Sequence, residues 1–185
     1  MSLKFQETKL KGCYLIDLKK NEDQRGFLTR MFCQKSLKNL LKGKYIRQIN
    51  RTYTKKEGVV RGLHFQNFPS PEIKIISCIR GEVWDVAVDL RKGSPTFLDY
   101  YAVILSENNS QSLFIPEGFA HGFQTLTSNC EILYFHTEYY NVNAEATLNS
   151  LDPLLSIKWP KIISERSARD SSSPMLNKNF LGIEV

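Results

Sequence analysis

Little in this sequence points to metal, disulfide or membrane chemistry, and each absence removes a class of function. Histidine occurs only three times in 185 residues. The four cysteines, Cys13, Cys33, Cys78 and Cys130, lie far apart with no Cys-x-x-Cys pair, which argues against a zinc ribbon or a disulfide framework. Three of them (Cys13, Cys78, Cys130) sit in apolar, strand-like surroundings, so buried free thiols in a reducing cytoplasm are expected. No apolar run approaches membrane-spanning length, and residues 1–20 hold no apolar segment with a small-residue cleavage site. The expectation is a soluble, cytoplasmic protein with no membrane contact. Long basic runs are missing too: 25 Lys and Arg against 19 Asp and Glu give a net charge of +6, scattered apart from short clusters such as Lys55-Lys56. That balance suits a small anionic ligand better than a nucleic-acid polymer.

What is present is a series of short apolar segments punctuated by glycine and proline, within a length that fits one domain over residues 1–185. Strands are expected over Gly12–Leu18, Phe27–Phe32, Tyr45–Tyr53, Val60–Gln66, Ile73–Ile79, Val83–Leu90, Leu98–Ser106, Ser112–Ile115 and Glu131–His136. Asn21–Gly26 reads as a polar turn. Ser36–Leu41, with Leu37, Leu40 and Leu41 at helical spacing, reads as a short helix on the outside. Beyond residue 150 the chain is loop-rich, with at most short helical turns. Many short strands and few helices argue for a β-barrel or sandwich.

The stretch Gly58-Val-Val-Arg-Gly-Leu-His-Phe-Gln66 dominates the site analysis, because it sets Arg61 and His64 in an otherwise apolar strand. At least one polar group must project into the interior, at a cost of roughly a few kcal/mol unless a partner or ligand compensates. A core histidine and a structural ion pair would satisfy the same pattern. Gly62 between them leaves room for something to approach the backbone. Gln48 and Asn50, two apart, share one strand face. Lys74 and Asp85 are charges inside apolar strands, and pairing them with each other is the simplest way to make both tolerable.

Pro116-x-Gly118-x-x-His121 resembles the second conserved motif of cupins, in which a tight turn delivers a histidine to the mouth of a barrel. On that resemblance the fold is an all-β, cupin-type jelly-roll barrel with a few short peripheral helices. Metal-binding cupins carry His-x-His in their first motif. Here the place reads His64-Phe65-Gln66, so no metal is expected.

Val60-Arg-Gly-Leu-His-Phe-Gln66 further resembles the signature of the dTDP-sugar epimerase family. The likeness extends from Asp23-Gln-Arg-Gly-Phe27 through Lys74, Asp85, His121 and Tyr134 to Ser167-Ala-Arg-Asp-x-x-x-Pro174. It implies an isomerase without a cofactor that inverts C3, C5 or both in a nucleotide-linked 4-keto-6-deoxysugar. By the same resemblance His64 is the general base, Asp170 hydrogen-bonds its far nitrogen, Tyr134 is the acid on the opposite face, and Lys74 lies near the ketone oxygen. Arg25, Phe27, Gln48, Asn50, Arg61, Asp85, His121, Tyr140 and Arg169 fall where the family holds the sugar nucleotide. A homodimer with an exchanged N-terminal strand is implied, Phe5–Leu18 being suited to that role. Two residues depart from the pattern: Arg30 stands where a glutamate near the base is usual, turning an acceptor into a donor, and Arg169 replaces a lysine. A sugar-nucleotide 3,4-ketoisomerase and a non-catalytic nucleotide-sugar-binding cupin are the competing readings.

Overall fold

The computed structural model describes residues 3–185. Two antiparallel sheets pack face to face. One has the order β1-β2-β10-β7-β12-β5, from β1 (Leu3–Glu7), β2 (Tyr14–Leu18), β10 (Gln111–Ile115), β7 (Lys74–Arg80), β12 (Cys130–His136) and β5 (Gln48–Thr54). The other has the order β13-β6-β11-β8-β9, from β13 (Glu145–Thr147), β6 (Val60–Gln66), β11 (Phe119–Thr125), β8 (Glu82–Asp89) and β9 (Tyr100–Ser106). A separate hairpin joins β3 (Lys20–Asp23) to β4 (Gly26–Thr29). With consecutive strands repeatedly falling in different sheets, this is the expected cupin-type jelly roll.

The core lies between the sheets, where Ile76, Leu113 and Ile132 from the first meet Val83, Phe119 and Phe123 from the second. Both outer faces are covered as well. The C-terminal segment lays Leu148, Leu155 and Leu176 on Leu63, Val86 and Val88, with Trp159 edge-on to Trp84. The short helix α1 (Lys38–Leu41) and the turn before it press Leu37 and Leu41 against Ile75 and Phe135. Strands covered on both faces read as continuous apolar runs, and so Ile73–Ile79 and Val83–Leu90 show no alternation.

Several boundaries differ from expectation. The helix is shorter than Ser36–Leu41, and the segment read as a polar turn at Asn21–Gly26 is mostly the hairpin, whose second strand ends at Thr29 rather than Phe32. Lys74 and Asp85 do not pair. Gly81 alone separates β7 from β8, yet those strands enter different sheets, which carries the two side chains apart. Cys13, Cys78 and Cys130 are buried free thiols, and burial pushes the thiols of Cys13 and Cys78 up to about 12.

One irregularity decides the geometry of the site. Between β6 and β11 the register steps from His64 opposite His121 to Gly62 opposite Gly122, leaving Leu63 as an extra residue. In a regular strand Arg61 and His64, three apart, would face opposite ways. The bulge restores them to one face. It turns Leu63 outward into the cluster under the C-terminal segment. Gly62 has φ +120°, and a Cβ there would lie 2.6 Å from Gly122 Cα and 2.7 Å from the His121 carbonyl oxygen. The room read at Gly62 is thus filled by β11, not by a ligand.

Gly62→Ala is expected to lower stability by about 1–3 kcal/mol from its backbone conformation alone, a fall in Tm of several degrees with added loss from the overlap. A melting curve unchanged from wild type would contradict the bulge. A second prediction concerns Asp89, fully buried and bound by Arg91, Ser94 Oγ (2.5 Å) and Thr96 Oγ1 (2.6 Å). Burial pushes its carboxyl up, but these hydrogen bonds outweigh burial and hold it below its ordinary value. A carboxyl lowered on folding stabilises the protein above its unfolded pKa and loses that contribution as pH falls through the folded value. Asp89→Asn should therefore cost about 3–5 kcal/mol at neutral pH, with the gap to wild type narrowing in denaturant melts below the ordinary carboxylate range of ~4.

Candidate active site

A pocket of about 190 Å³ opens between the sheets at the end where β5 and β13 form the edges. One wall is the six-stranded sheet, contributing Gln48 and Asn50 from β5, Lys74 from β7 and Tyr134 and His136 from β12. The facing wall contributes Arg61 and His64 from β6 and His121 from β11. All three histidines of the chain line this one pocket, and each is backed by a carboxylate.

His64 is held from behind. Its Nε2 lies 2.8 Å from Asp170 Oδ1, and Asp170 Oδ2 accepts from the Gly62 amide at 3.1 Å. Asp170 sits in α2 (Ala168–Ser172), where the Ser167 hydroxyl accepts from its amide. Its side chain is 4% exposed. Burial pushes the carboxyl up, but the hydrogen bonds from His64 and Gly62 prevail and hold it below the usual range. Arg169 Nη2 also comes within 3.0 Å of His64 Nε2. A guanidinium only donates, and Nε2 cannot both donate to Asp170 and accept from Arg169. The buried, charge-assisted bond to Asp170 takes precedence, which puts the hydrogen on Nε2 and the lone pair on Nδ1. Arg169 is instead satisfied by Glu145, with Nη1 at 2.9 and 3.1 Å from its two oxygens.

Tyr134 faces His64 from the opposite sheet. Burial, reinforced by the charge of Asp85, pushes its phenol well above its ordinary value, so it stays protonated. Lys74, 8% exposed, spans the two walls: its Nζ donates to the His64 carbonyl at 3.0 Å and lies 3.1 Å from Glu72 Oε1. Asp85 does not reach the pocket. It is fully buried behind His121, bound to its Nε2 at 2.8 Å, and its Oδ2 has no hydrogen-bond partner among the described residues. Gln48 Nε2 donates to Asn50 Oδ1 at 3.0 Å, and both line the pocket, so their shared strand face forms part of its wall. Tyr140 lines the rim and donates to Glu145 Oε2 at 2.9 Å.

Of the residues expected at the site, ten converge here: His64, Tyr134, Asp170, Lys74, Gln48, Asn50, Arg61, His121, Tyr140 and Arg169. Arg25, Phe27 and Arg30 do not. Arg25 is exposed in the turn of the β3–β4 hairpin, paired with Asp23, and Phe27 is 59% exposed, with Lys20 Nζ over its ring. Arg30 is exposed just beyond that hairpin. Sequence reading missed Glu72, His136 and Glu145. The signal for the first two was parity: Glu72 stands two residues before Lys74, and His136 two after Tyr134.

Comparison with known proteins agrees with this geometry. The family model for dTDP-4-dehydrorhamnose 3,5-epimerase matches residues 7–178. The dTDP-4-dehydrorhamnose 3,5-epimerase of Salmonella typhimurium is 38% identical over 177 residues, covering 95% of this chain and 96% of its own length. The structure of dTDP-6-deoxy-D-glucose-3,5-epimerase from Legionella pneumophila, in complex with dTDP-4-keto-L-rhamnose, is 36% identical with a TM-score of 0.91, over 99% of this chain and 98% of that one. A 3'-monoepimerase from Streptomyces bikiniensis, in complex with dTDP-quinovose, is 29% identical with a TM-score of 0.84, over 91% and 85% of the two chains. A paired histidine and a tyrosine facing each other across a jelly-roll pocket, in a chain matched almost end to end, place this protein in the dTDP-4-dehydrorhamnose 3,5-epimerase family.

Proposed function

We propose that the protein epimerises C3 and C5 of a dTDP-linked 4-keto-6-deoxysugar. The observation that carries this reading is the placement of His64 and Tyr134 on opposite sheets with the pocket between them. Inversion at a carbon needs a base on one face and a proton donor on the other.

The hydrogens on C3 and C5 are α to the C4 carbonyl, so removing them as protons needs no redox cofactor. His64 Nδ1 takes the proton from carbon, and the electron pair passes to the C4 oxygen as an enolate. Lys74, itself nearly buried, stabilises that oxygen electrostatically. Tyr134, kept protonated by burial, returns a proton to the opposite face of the carbon. Asp170 keeps the imidazole in the tautomer that frees Nδ1 and stabilises the imidazolium once it forms. Arg61, Gln48 and Asn50 supply donors for the diphosphate and sugar.

Arg25 and Phe27 belong to the same reading by a different route. The family resemblance puts them at the substrate, yet they stand exposed on a hairpin away from this chain's own pocket. We propose a homodimer in which this hairpin serves the pocket of a second copy, with Arg30 beside it as a cationic group near the base.

Incubation with dTDP-4-keto-6-deoxyglucose in D2O should exchange both the C3 and C5 protons by NMR, and His64→Ala should exchange neither. Exchange at one centre would revise the reading to a monoepimerase, and absence of exchange with any nucleotide would overturn it. For the dimer, Arg25→Ala and His64→Ala proteins, each of low activity, should regain activity when their subunits are mixed. Failure to regain it would place Arg25 in its own chain's site or in none.

A further inference from the structure

Two side chains beside the pocket, His136 and Glu72, have no part in the chemistry above. Across the six-stranded sheet, His136 lies opposite Gln48 on β5 and opposite Lys74 on β7. It therefore stands in one row between a group proposed to hold the substrate and a group proposed to stabilise the enolate. Its ring stacks on Tyr134 at an interplanar angle of 11°. Its Nδ1 lies 2.7 Å from Glu72 Oε2, and the other oxygen of Glu72 lies 3.1 Å from Lys74 Nζ. Its Nε2 lies 3.4 Å from Asn50 Nδ2. Glu72 and His136 are 9% and 12% exposed. Burial pushes the Glu72 carboxyl up, but the Lys74 charge and the His136 hydrogen bond hold it below its ordinary value.

The direction of every bond in this row is fixed from one end. The backbone amide of Tyr140 can only donate, and it donates to Gln48 Oε1 at 3.2 Å. Gln48 must then present its NH2 to Asn50 Oδ1, at 3.0 Å. Asn50 in turn presents its NH2 to His136 Nε2, which must accept. The ring hydrogen is thereby placed on Nδ1, which donates to Glu72. Lys74 closes the row from the other side, donating to Glu72 and to the His64 carbonyl.

We propose that His136 and Glu72 are positioning residues, which tie the amides of Gln48 and Asn50 to the ammonium of Lys74 through a hydrogen-bond relay of fixed polarity. The proposal rests on the epimerase reading for its catalytic purpose and on geometry alone for its existence. Glu72 fixes where the Lys74 charge sits beneath the C4 oxygen, and His136 fixes Glu72. Neither touches the reacting carbons. A side chain that sets a catalytic group's position governs the rate through small displacements.

The test uses His136→Asn, His136→Gln and Glu72→Gln in the full-length protein. An asparagine amide can take the place of Nδ1 and keep the bond to Glu72, whereas a glutamine amide reaches the Nε2 position and keeps the contact to Asn50. Glu72→Gln and His136→Gln should lower kcat for C3 and C5 exchange by about ten- to a hundredfold with KM little changed. The loss in His136→Asn should fall mainly on KM. Both His136 variants keep the carboxylate of Glu72 and the ammonium of Lys74 to balance each other's charge, so they decide the matter even where Glu72→Gln does not fold. Equal effects of the two His136 variants on kcat, or wild-type kcat in His136→Gln, would overturn the proposal.

A second readout is independent of turnover. In 15N NMR of the substrate-free wild type near neutral pH, His136 should be the Nδ1–H tautomer, and that tautomer should persist in Glu72→Gln, because Asn50 fixes Nε2 as the acceptor and a glutamine oxygen can still accept from Nδ1. An Nε2–H tautomer overturns the relay itself. A wild type that exchanges neither hydrogen overturns the epimerase reading, and with it the relay's catalytic purpose.

Discussion

The site depends on the carboxylate of Asp170, which binds the ring of His64 with one oxygen and the amide of Gly62 with the other. These two partners lie on either side of the extra residue in β6. Asp170 thus holds the bulge and the imidazole in a single geometry. Because it arrives from the C-terminal segment, whose leucines pack on the outer face of the same sheet, packing far from the pocket fixes the position of the His64 ring. A carboxylate this buried persists because two donors meet it.

The same logic recurs through the pocket. Each histidine has a carboxylate behind it: Asp170 for His64, Asp85 for His121 and Glu72 for His136. Such pairing orients a ring and selects its tautomer, so three imidazoles close together can carry three different roles. His64 presents a lone pair toward the pocket, His121 lies in the wall with its Nε2 turned to a fully buried acid, and His136 joins a row of hydrogen bonds. The two walls are bridged by Lys74, which belongs to one sheet and donates to the backbone of the other.

Much of this was legible in the sequence, and the parts that were not share physical causes. The strands were recognisable by glycine and proline punctuation, and the His64 stretch and Tyr134 stood out by motif. Alternation failed as a guide because β7 and β8 are covered on both faces. Parity failed at Arg61 and His64, because a bulge is a property of the pair β6 and β11 and not of either strand. Lys74 and Asp85 invite pairing because each is a charge inside an apolar strand, whereas the connection at Gly81 sends their strands to different sheets and the side chains to different partners, Glu72 and His121. Glu145 was invisible since its strand is three residues long and pairs with β6 only after a long excursion. Arg25 and Phe27 fit the family motif and Arg30 departs from it, yet all three lie outside this chain's pocket, a placement that the motif does not contain.

In the proposed epimerisation, the bond from Asp170 sets the tautomer and orientation of His64. The most direct measurement is the steady-state exchange of C3 and C5 protons by Asp170→Asn, with KM determined alongside kcat. Asparagine preserves the shape but can hold the ring in the wrong tautomer, as happens when a carboxylate behind a catalytic histidine is replaced in this way. In Asp170→Asn kcat should fall on the order of a thousandfold or more with KM nearly unchanged. A variant that exchanges both protons at close to the wild-type rate would contradict it.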